Sequence, residues 1–94
     1  MTLLSQIAIK IIKEQELVIG PLAWDEAKKV EGLNVIDQIK GELELKNGDP
    51  KAVIDRLVGQ YERLFGRASH EVCREAVTAI IADLPASDIP SSLK

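Results

Sequence analysis

The sequence predicts a single all-α domain, a small bundle of four to five short helices. Hydrophobic residues make up 46% of the 94-residue chain, enough for one core but not for two. Apolar residues recur at helical spacing in most segments, and glycine or proline falls at the junctions between them. Only 3% of the residues are aromatic, so the core must be built from branched aliphatic side chains.

The first two helices are predicted on either side of Gly20-Pro21. In residues 2–19 the apolar side chains that share one side of a helix are Leu4, Ile7, Ala8, Ile11, Ile12 and Val18. Proline is tolerated in the first turn of a helix, so the second helix is expected to cover residues 22–30. Gly32 is a natural C-terminal stop for it.

Residues 33–48 are compatible with two structures. Three apolar residues at helical spacing favour a helix: Ile36, Ile39 and Leu43. Against a helix, Gly41 lowers its stability and residues 42–45 alternate as in a strand. An isolated hairpin is only marginally stable, so we favour a helix, with a short hairpin within residues 33–46 as the alternative. In both cases Asn47-Gly48 ends the segment.

The last two helices carry the clearest terminal signals. Asp49 is a good N-cap and Pro50 suits a first turn, so a helix is expected from there to Gly66. Ser69 is expected to cap the next helix, and Pro85 lies just past its end. The buried side of that last helix is predicted to comprise Val72, Cys73, Ala76, Val77, Ile80 and Leu84.

These elements predict one helical domain over residues 1–84. Residues 85–94 are rich in serine and proline, so we expect a loosely ordered C-terminal tail. Within that tail, Ile89 and Leu93 could fold back onto the domain.

Charge and composition disfavour several partner classes. The net charge is −3, which gives no electrostatic footprint for nucleic acid or an anionic membrane. Apolar runs are far shorter than the roughly 20 residues that span a bilayer, and the N-terminus lacks the pattern of a signal peptide. Cys73 is the only cysteine, which fits a reducing compartment. We therefore expect a cytoplasmic protein.

No residue pattern predicts an active site, a metal site or a cofactor. His70 and Cys73 are three residues apart in a predicted helix, so they could face the same way. Zinc needs about four ligands, and the chain has no second histidine or cysteine. A Cys–His catalytic pair also needs an orienting third group, and the phosphate-loop pattern GxxxxGK[ST] is missing. We expect no enzymatic activity and no cofactor.

The first helix is apolar on more than one side, which favours an interaction surface. Ile9 projects opposite the main apolar stripe, and Leu3 and Leu17 lie on its margins. A single surface isoleucine is ordinary, but the three together predict that protein packs against this helix on more than one side. A second copy of the chain would cover it, and so would residues 85–94 if they fold back.

Two further features fit a partner surface. Arg56, Gly59 and Arg63 lie on the stripe opposite the apolar face of their helix. Glycine inside an exposed helix costs about 1 kcal/mol relative to alanine, so Gly59 could allow the close approach of a partner helix, with the arginines binding carboxylates. Trp24 is of a residue type enriched among interface anchors. The alternatives are a solvated helix face for the stripe and a core-edge position for Trp24.

The sequence thus predicts a non-catalytic protein-interaction or regulatory module, as a homodimer or as an accessory subunit. The predicted partner-binding residues are Leu3, Ile9, Leu17, Trp24, Arg56, Gly59 and Arg63. The alternative is a small DNA-binding transcriptional regulator with a helix-turn-helix-like turn at Gly66. Glu71 and Glu75 beside that turn would repel phosphates, so nucleic acid is the less favoured partner.

Overall fold

The computed structural model describes residues 3–46 and 49–93, which form four α-helices, one antiparallel hairpin and two short 3-10 turns. The helices are α1 (Leu3–Ile19), α2 (Leu22–Ala27), α3 (Pro50–Phe65) and α4 (Arg67–Ile81), and the strands are β1 (Leu33–Asp37) and β2 (Glu42–Leu45). The prediction of a helical bundle is confirmed, but the all-α class is wrong at the hairpin. The turn predicted at Asn47-Gly48 lies outside the described residues.

A hairpin, and not the favoured helix, occupies residues 33–45. The strands pair antiparallel with Leu33 opposite Leu45 and Val35 opposite Leu43. These four apolar side chains share one face of the hairpin, because side chains alternate along a strand, and Leu33 and Leu43 are buried. The other face is exposed.

The local structure of the turn and the packing of the strands on α1 explain why this hairpin forms. Its turn is closed by Asp37, whose Oδ1 accepts hydrogen bonds from the backbone N–H groups of Ile39 (3.0 Å) and Lys40 (3.1 Å). Gly41 follows with φ +73°, a conformation that glycine adopts without strain. The buried face of the hairpin then packs against α1, so the instability of an isolated hairpin does not apply here.

The core lies between α1, α2, α3 and α4 and is mostly aliphatic. Its two largest members are Trp24 on α2 and Tyr61 on α3. The Tyr61 hydroxyl donates a hydrogen bond to the Ala23 carbonyl oxygen (2.6 Å), which fastens α2 to α3. Burial raises the pKa of Tyr61 well above its usual value. The aliphatic core includes Ile7, Ile11, Ile12, Val53, Ile54, Leu57, Val58 and Val77.

A buried glutamine joins α1 to α4. The Gln15 amide nitrogen donates to the Ser69 carbonyl oxygen (2.9 Å) and to the Cys73 sulfur (3.3 Å). The predicted cap at Ser69 is wrong: α4 begins at Arg67, and Ser69 is buried in its first turn. The two helices run antiparallel, since Gln15 meets the start of α4 while Ile9, earlier in α1, lines a groove with Ile80 near its end.

The start of α3 confirms the sequence signals. Asp49 is the N-cap, and its side chain accepts from the backbone N–H groups of Lys51 (3.1 Å) and Ala52 (3.4 Å). A single residue, Gly66 with φ +87°, connects the end of α3 to the start of α4.

The C-terminal segment (residues 85–93) lies against α3 and α4. Its Leu93 is buried. The Ser92 backbone N–H and hydroxyl both donate to Asp55 Oδ1, at 3.0 and 2.6 Å. The Ser92 carbonyl oxygen lies within hydrogen-bond distance of the His70 ring. This segment folds back onto the bundle, but it does so away from Ile9 on α1.

Candidate functional site

Two of the predicted partner residues, Leu3 and Leu17, lie on one exposed stripe of α1. The members of this stripe follow one another at steps of three and four residues: Leu3, Gln6, Lys10, Lys13 and Leu17. Leu17 is 80% exposed. At 1.5 Å per residue the two leucines are about 21 Å apart, with polar and basic residues between them.

An open groove separates α1 from α4 beside Leu17. We call this cleft of about 390 Å³ the α1/α4 groove; it is lined by Lys10, Glu14, Leu17, Val18, Val72, Glu75 and Ala76. Val18 was predicted to face the core but is 66% exposed. The reason is that Gln15 contacts Ser69, which is in the first turn of α4. Val18 follows Gln15 in α1, so it lies beyond the start of α4 at the end of the bundle.

A second groove lies on the other side of Lys10. We call this cleft of about 430 Å³ the lysine groove; it is lined by Gln6, Ile9, Lys10, Lys13, Lys40, Gly41 and Ile80. Ile9 is half-buried here, and its Cγ2 lies 3.5 Å from the position that a Cβ on Gly41 would occupy. The hairpin turn therefore covers part of Ile9, which is neither of the two covers expected from the sequence.

Trp24 does not lie at a surface. It is 1% exposed and belongs to the core, because the short helix α2 is held against α3 by the Tyr61 hydrogen bond. A second contact fixes the same interface, since the Gln60 amide donates to Glu26 Oε1 (2.8 Å). This bond, and that from Lys29, hold the pKa of Glu26 below its usual value. The fold thus leaves Trp24 no surface to offer to a partner.

The stripe on α3 is exposed, as predicted, and its arginines are engaged within the chain. Arg56 donates to the Glu31 carbonyl oxygen (3.3 Å), and Arg63 donates to Gln60 Oε1 (2.8 Å). A Cβ placed on Gly59 would meet no atom within 4 Å. Among the described residues, no element approaches Gly59 closely enough to account for a glycine there.

The structure separates His70 from Cys73. The thiol is buried against Gln15, and burial raises the pKa of Cys73 to about 11. The His70 ring instead lies between Glu62 Oε2 and the Ser92 carbonyl oxygen. Within residues 3–46 and 49–93, no three His, Cys, Asp or Glu side chains are grouped so that they could hold a metal ion.

The Gly66 connection gives no basic face. A helix-turn-helix joins its helices by a turn of about three or four residues, whereas α3 and α4 are joined by one. Arg67 is exposed, but Arg74 pairs with Glu71 at 3.4 Å. Nothing in this geometry favours the DNA-binding alternative, which stays a prediction from the sequence.

Two residues that line the grooves were not predicted as partner residues. Glu75 was considered only for its repulsion of phosphates and Lys40 was not singled out, although each lines a groove beside a predicted partner residue. Helical spacing could have placed Glu75 on the same face of α4 as Val72. No local signal could have placed Lys40 beside α1.

No helix within the described part of the chain is long and apolar enough to cross a membrane. Comparison of the chain with family models, with curated proteins and with solved structures gives no match.

Proposed function

We propose that the protein is a non-catalytic interaction module that forms a homodimer through the α1/α4 groove. The observation that carries the proposal is the adjacent exposure of Leu17 and Val18 beside that groove. One exposed apolar side chain is ordinary. Two neighbours that flank a cleft with Val72 and Ala76 on its opposite wall form an apolar patch, and such patches are typical of protein contacts.

Charge on the two walls of the groove supports a second copy as the partner. Lys10 on α1 and Glu75 on α4 line the same groove, so they lie at the same level along the two antiparallel helices. A two-fold axis parallel to the helices would lay α1 of one copy over α4 of the other. Lys10 of each copy would then face Glu75 of the other, as a self-complementary interface requires.

The apolar and charged residues have different roles in such a dimer. Burial of Leu17 would contribute about 1.5–3 kcal/mol per copy. The Lys10–Glu75 pairs would mainly fix the orientation of the two copies. Lys10 already pairs with Glu14 at 3.0 Å, so dimerisation would extend an existing ion pair into a small network.

An accessory subunit is the other form of the same proposal, with a different protein covering the α1/α4 groove.

A cytoplasmic location remains part of the proposal, on the basis of the single cysteine. Leu3, Arg56, Gly59 and Arg63 are exposed but line neither groove, so they remain secondary candidates for contact with a partner.

Sedimentation equilibrium on the purified chain tests the homodimer. We expect a concentration-dependent mass that approaches twice the 10.3 kDa of the monomer. Leu17→Asp should remain monomeric, because the dimer would bury an unpaired carboxylate. The matched control is Ile36→Asp, the same change at an exposed isoleucine on the outer face of the hairpin, which should dimerise normally.

A charge-reversal cycle tests the geometry separately. Lys10→Glu and Glu75→Lys should each weaken the dimer, and the double variant should recover most of the loss. A wild-type chain that stays monomeric at millimolar concentration would refute the homodimer. A Leu17→Asp variant that dimerises like the wild type would place the interface elsewhere.

A further inference from the structure

The lysine groove carries positive charge that the chain does not neutralise. Within residues 3–46 and 49–93, neither Lys13 nor Lys40 forms an ion pair. Lys28 and Lys51 form none either, but their ammonium groups donate hydrogen bonds to Gln38 and to the Ser87 carbonyl oxygen. The third lysine of the groove, Lys10, pairs with Glu14 on the side away from the hairpin. In a chain of net charge −3, this cluster reverses the sign of the surface locally.

The carboxylates nearest in sequence to Lys40 are directed elsewhere. Leu43 is buried against the bundle, so Glu42 and Glu44 on either side of it lie on the opposite, exposed face of the hairpin. Asp37 Oδ1 is engaged by the two backbone N–H groups of the turn. Asp37 keeps its negative charge, but within residues 3–46 and 49–93 no carboxylate forms an ion pair with the Lys40 ammonium, so the hairpin presents an unpaired lysine at the groove.

The floor of the lysine groove is apolar. Ile9 and Ile80 are half-buried there, and Gly41 adds only its backbone. A Cβ on Gly41 would come within 3.0 Å of the Lys13 Cε atom, so glycine keeps this wall of the groove open. Ile39, next to Lys40 in the hairpin turn, is 96% exposed but does not line the groove.

We infer that the lysine groove binds an acidic peptide segment of a partner protein. One apolar side chain of the segment lies on Ile9 and Ile80, and flanking carboxylates pair with Lys13 and Lys40. This site shares Lys10 with the α1/α4 groove, but Ile9, Lys13, Lys40 and Ile80 do not line that groove, so the site does not require the dimer to form.

A peptide fits this site better than a membrane or a nucleic acid does. Polybasic sites for anionic lipids use about four to eight basic residues, and proteins that bind nucleic acid strongly contact about 6–10 phosphates. The groove offers three lysines around an apolar cleft of about 430 Å³. That volume is enough for one or two side chains of an extended segment. A peptide with one apolar side chain between acidic neighbours would fill the cleft with the apolar side chain and leave the carboxylates beside the lysines.

Fluorescence polarisation tests the inference on the full chain. The probe is a fluorescein-labelled octapeptide with one central leucine flanked by glutamates, and its controls carry glutamine for glutamate or serine for leucine. We expect the acidic peptide to bind, and binding to weaken about three- to tenfold with either control peptide. Binding should also weaken as salt is raised.

Charge-reversal variants locate the binding site. Lys13→Glu and Lys40→Glu should each weaken binding about three- to tenfold. Lys46→Glu is the matched control, because it makes the same change on an exposed lysine at the other end of the hairpin, and it should stay within about twofold of the wild type. Val18→Asp places a carboxylate on the α1/α4 groove but not on the stripe of Lys13, so this variant should be monomeric and yet bind the peptide as the wild type does. Leu17→Asp does not serve for this comparison, because a carboxylate four residues after Lys13 would pair with that lysine. The two proposals therefore fail separately.

Three results would overturn the inference. The first is no change in polarisation up to millimolar protein. The second is an equal loss of binding in Lys13→Glu and Lys46→Glu. The third is tighter binding of phosphatidylserine vesicles or of a single-stranded oligonucleotide than of the acidic peptide, since the site would then serve a different class of partner.

Discussion

Replacing Gln15 with methionine is expected to lower the free energy of unfolding by about 1–2 kcal/mol. Gln15 is fully buried between α1 and α4, where its amide nitrogen donates to the Ser69 carbonyl oxygen and the Cys73 sulfur. Methionine has nearly the same length and fills the same space, but it donates no hydrogen bond. The variant therefore removes the polar contacts and leaves the packing almost intact.

Alanine at the same position should be more damaging, at about 3 kcal/mol in total. It removes the same hydrogen bonds and also the buried Cγ methylene, worth about 0.8 kcal/mol, and the loss of the amide group leaves a cavity that adds a similar amount. The difference between the methionine and alanine variants separates packing from hydrogen bonding at one site. Gln6→Met, on the exposed stripe of the same helix, is the control and should change stability by less than about 0.5 kcal/mol.

Urea unfolding followed by tryptophan fluorescence measures these differences. Trp24 is the only tryptophan in the chain and lies in the core, so its emission reports on loss of the whole fold. The slope against urea should be the same for each variant. If Gln15→Met is as stable as the wild type at equal slope, the buried amide contributes no net stability and the reasoning is refuted.

Two further predictions concern α3 and the buried thiol. Gly59→Ala should raise the free energy of unfolding by about 1 kcal/mol, because a Cβ meets no neighbour there. The thermal midpoint should then be about 4–8 °C higher. The same change at Gly66 should lower the free energy of unfolding, since its φ is +87°. Stability should also fall by about 2–3 kcal/mol from pH 9 to 11. The unfolded chain releases the Cys73 proton near pH 9.0 and the folded chain only near its raised pKa of about 11. Urea midpoints measured across that pH range report this loss of stability, and the loss should be smaller in Cys73→Ala. If the loss is the same in that variant, it comes from other groups such as Tyr61.

The elements that sequence predicted best are those whose boundaries are set locally. The start of α3 follows from the Asp49 side chain and the fixed φ of Pro50, and its end follows from Gly66. The hairpin was only the alternative prediction for residues 33–46, because its stability comes from packing Leu43 on α1, a contact that no local pattern reveals. Ser69 was misplaced for a related reason: a serine that caps a helix and one that bonds to a distant glutamine are the same in sequence.

The candidate site was predictable only in part. Helical spacing was sufficient to put Leu3 and Leu17 on the margin of the apolar stripe of α1. It was not sufficient for the lysine groove, because Lys40 reaches Lys13 only through the position of the hairpin turn. Trp24 was named as a partner residue because its residue type is enriched at interfaces in general. The core-edge position considered beside it is closer to the observed burial, which depends on how α2 meets α3 in this particular fold.

The single-residue connection at Gly66 also has a consequence for folding kinetics. Helices α3 and α4 close almost no loop when they dock, whereas the Gln15–Ser69 contact closes a loop of 54 residues. Loop-closure entropy rises with loop length, so we expect the α3–α4 pair to dock before the Gln15–Ser69 contact joins α1 to α4. Substitutions between α3 and α4 would then slow folding, while those at Gln15 would mainly speed unfolding. The helix that forms one wall of both grooves would therefore dock on α4 late in folding and leave it early in unfolding.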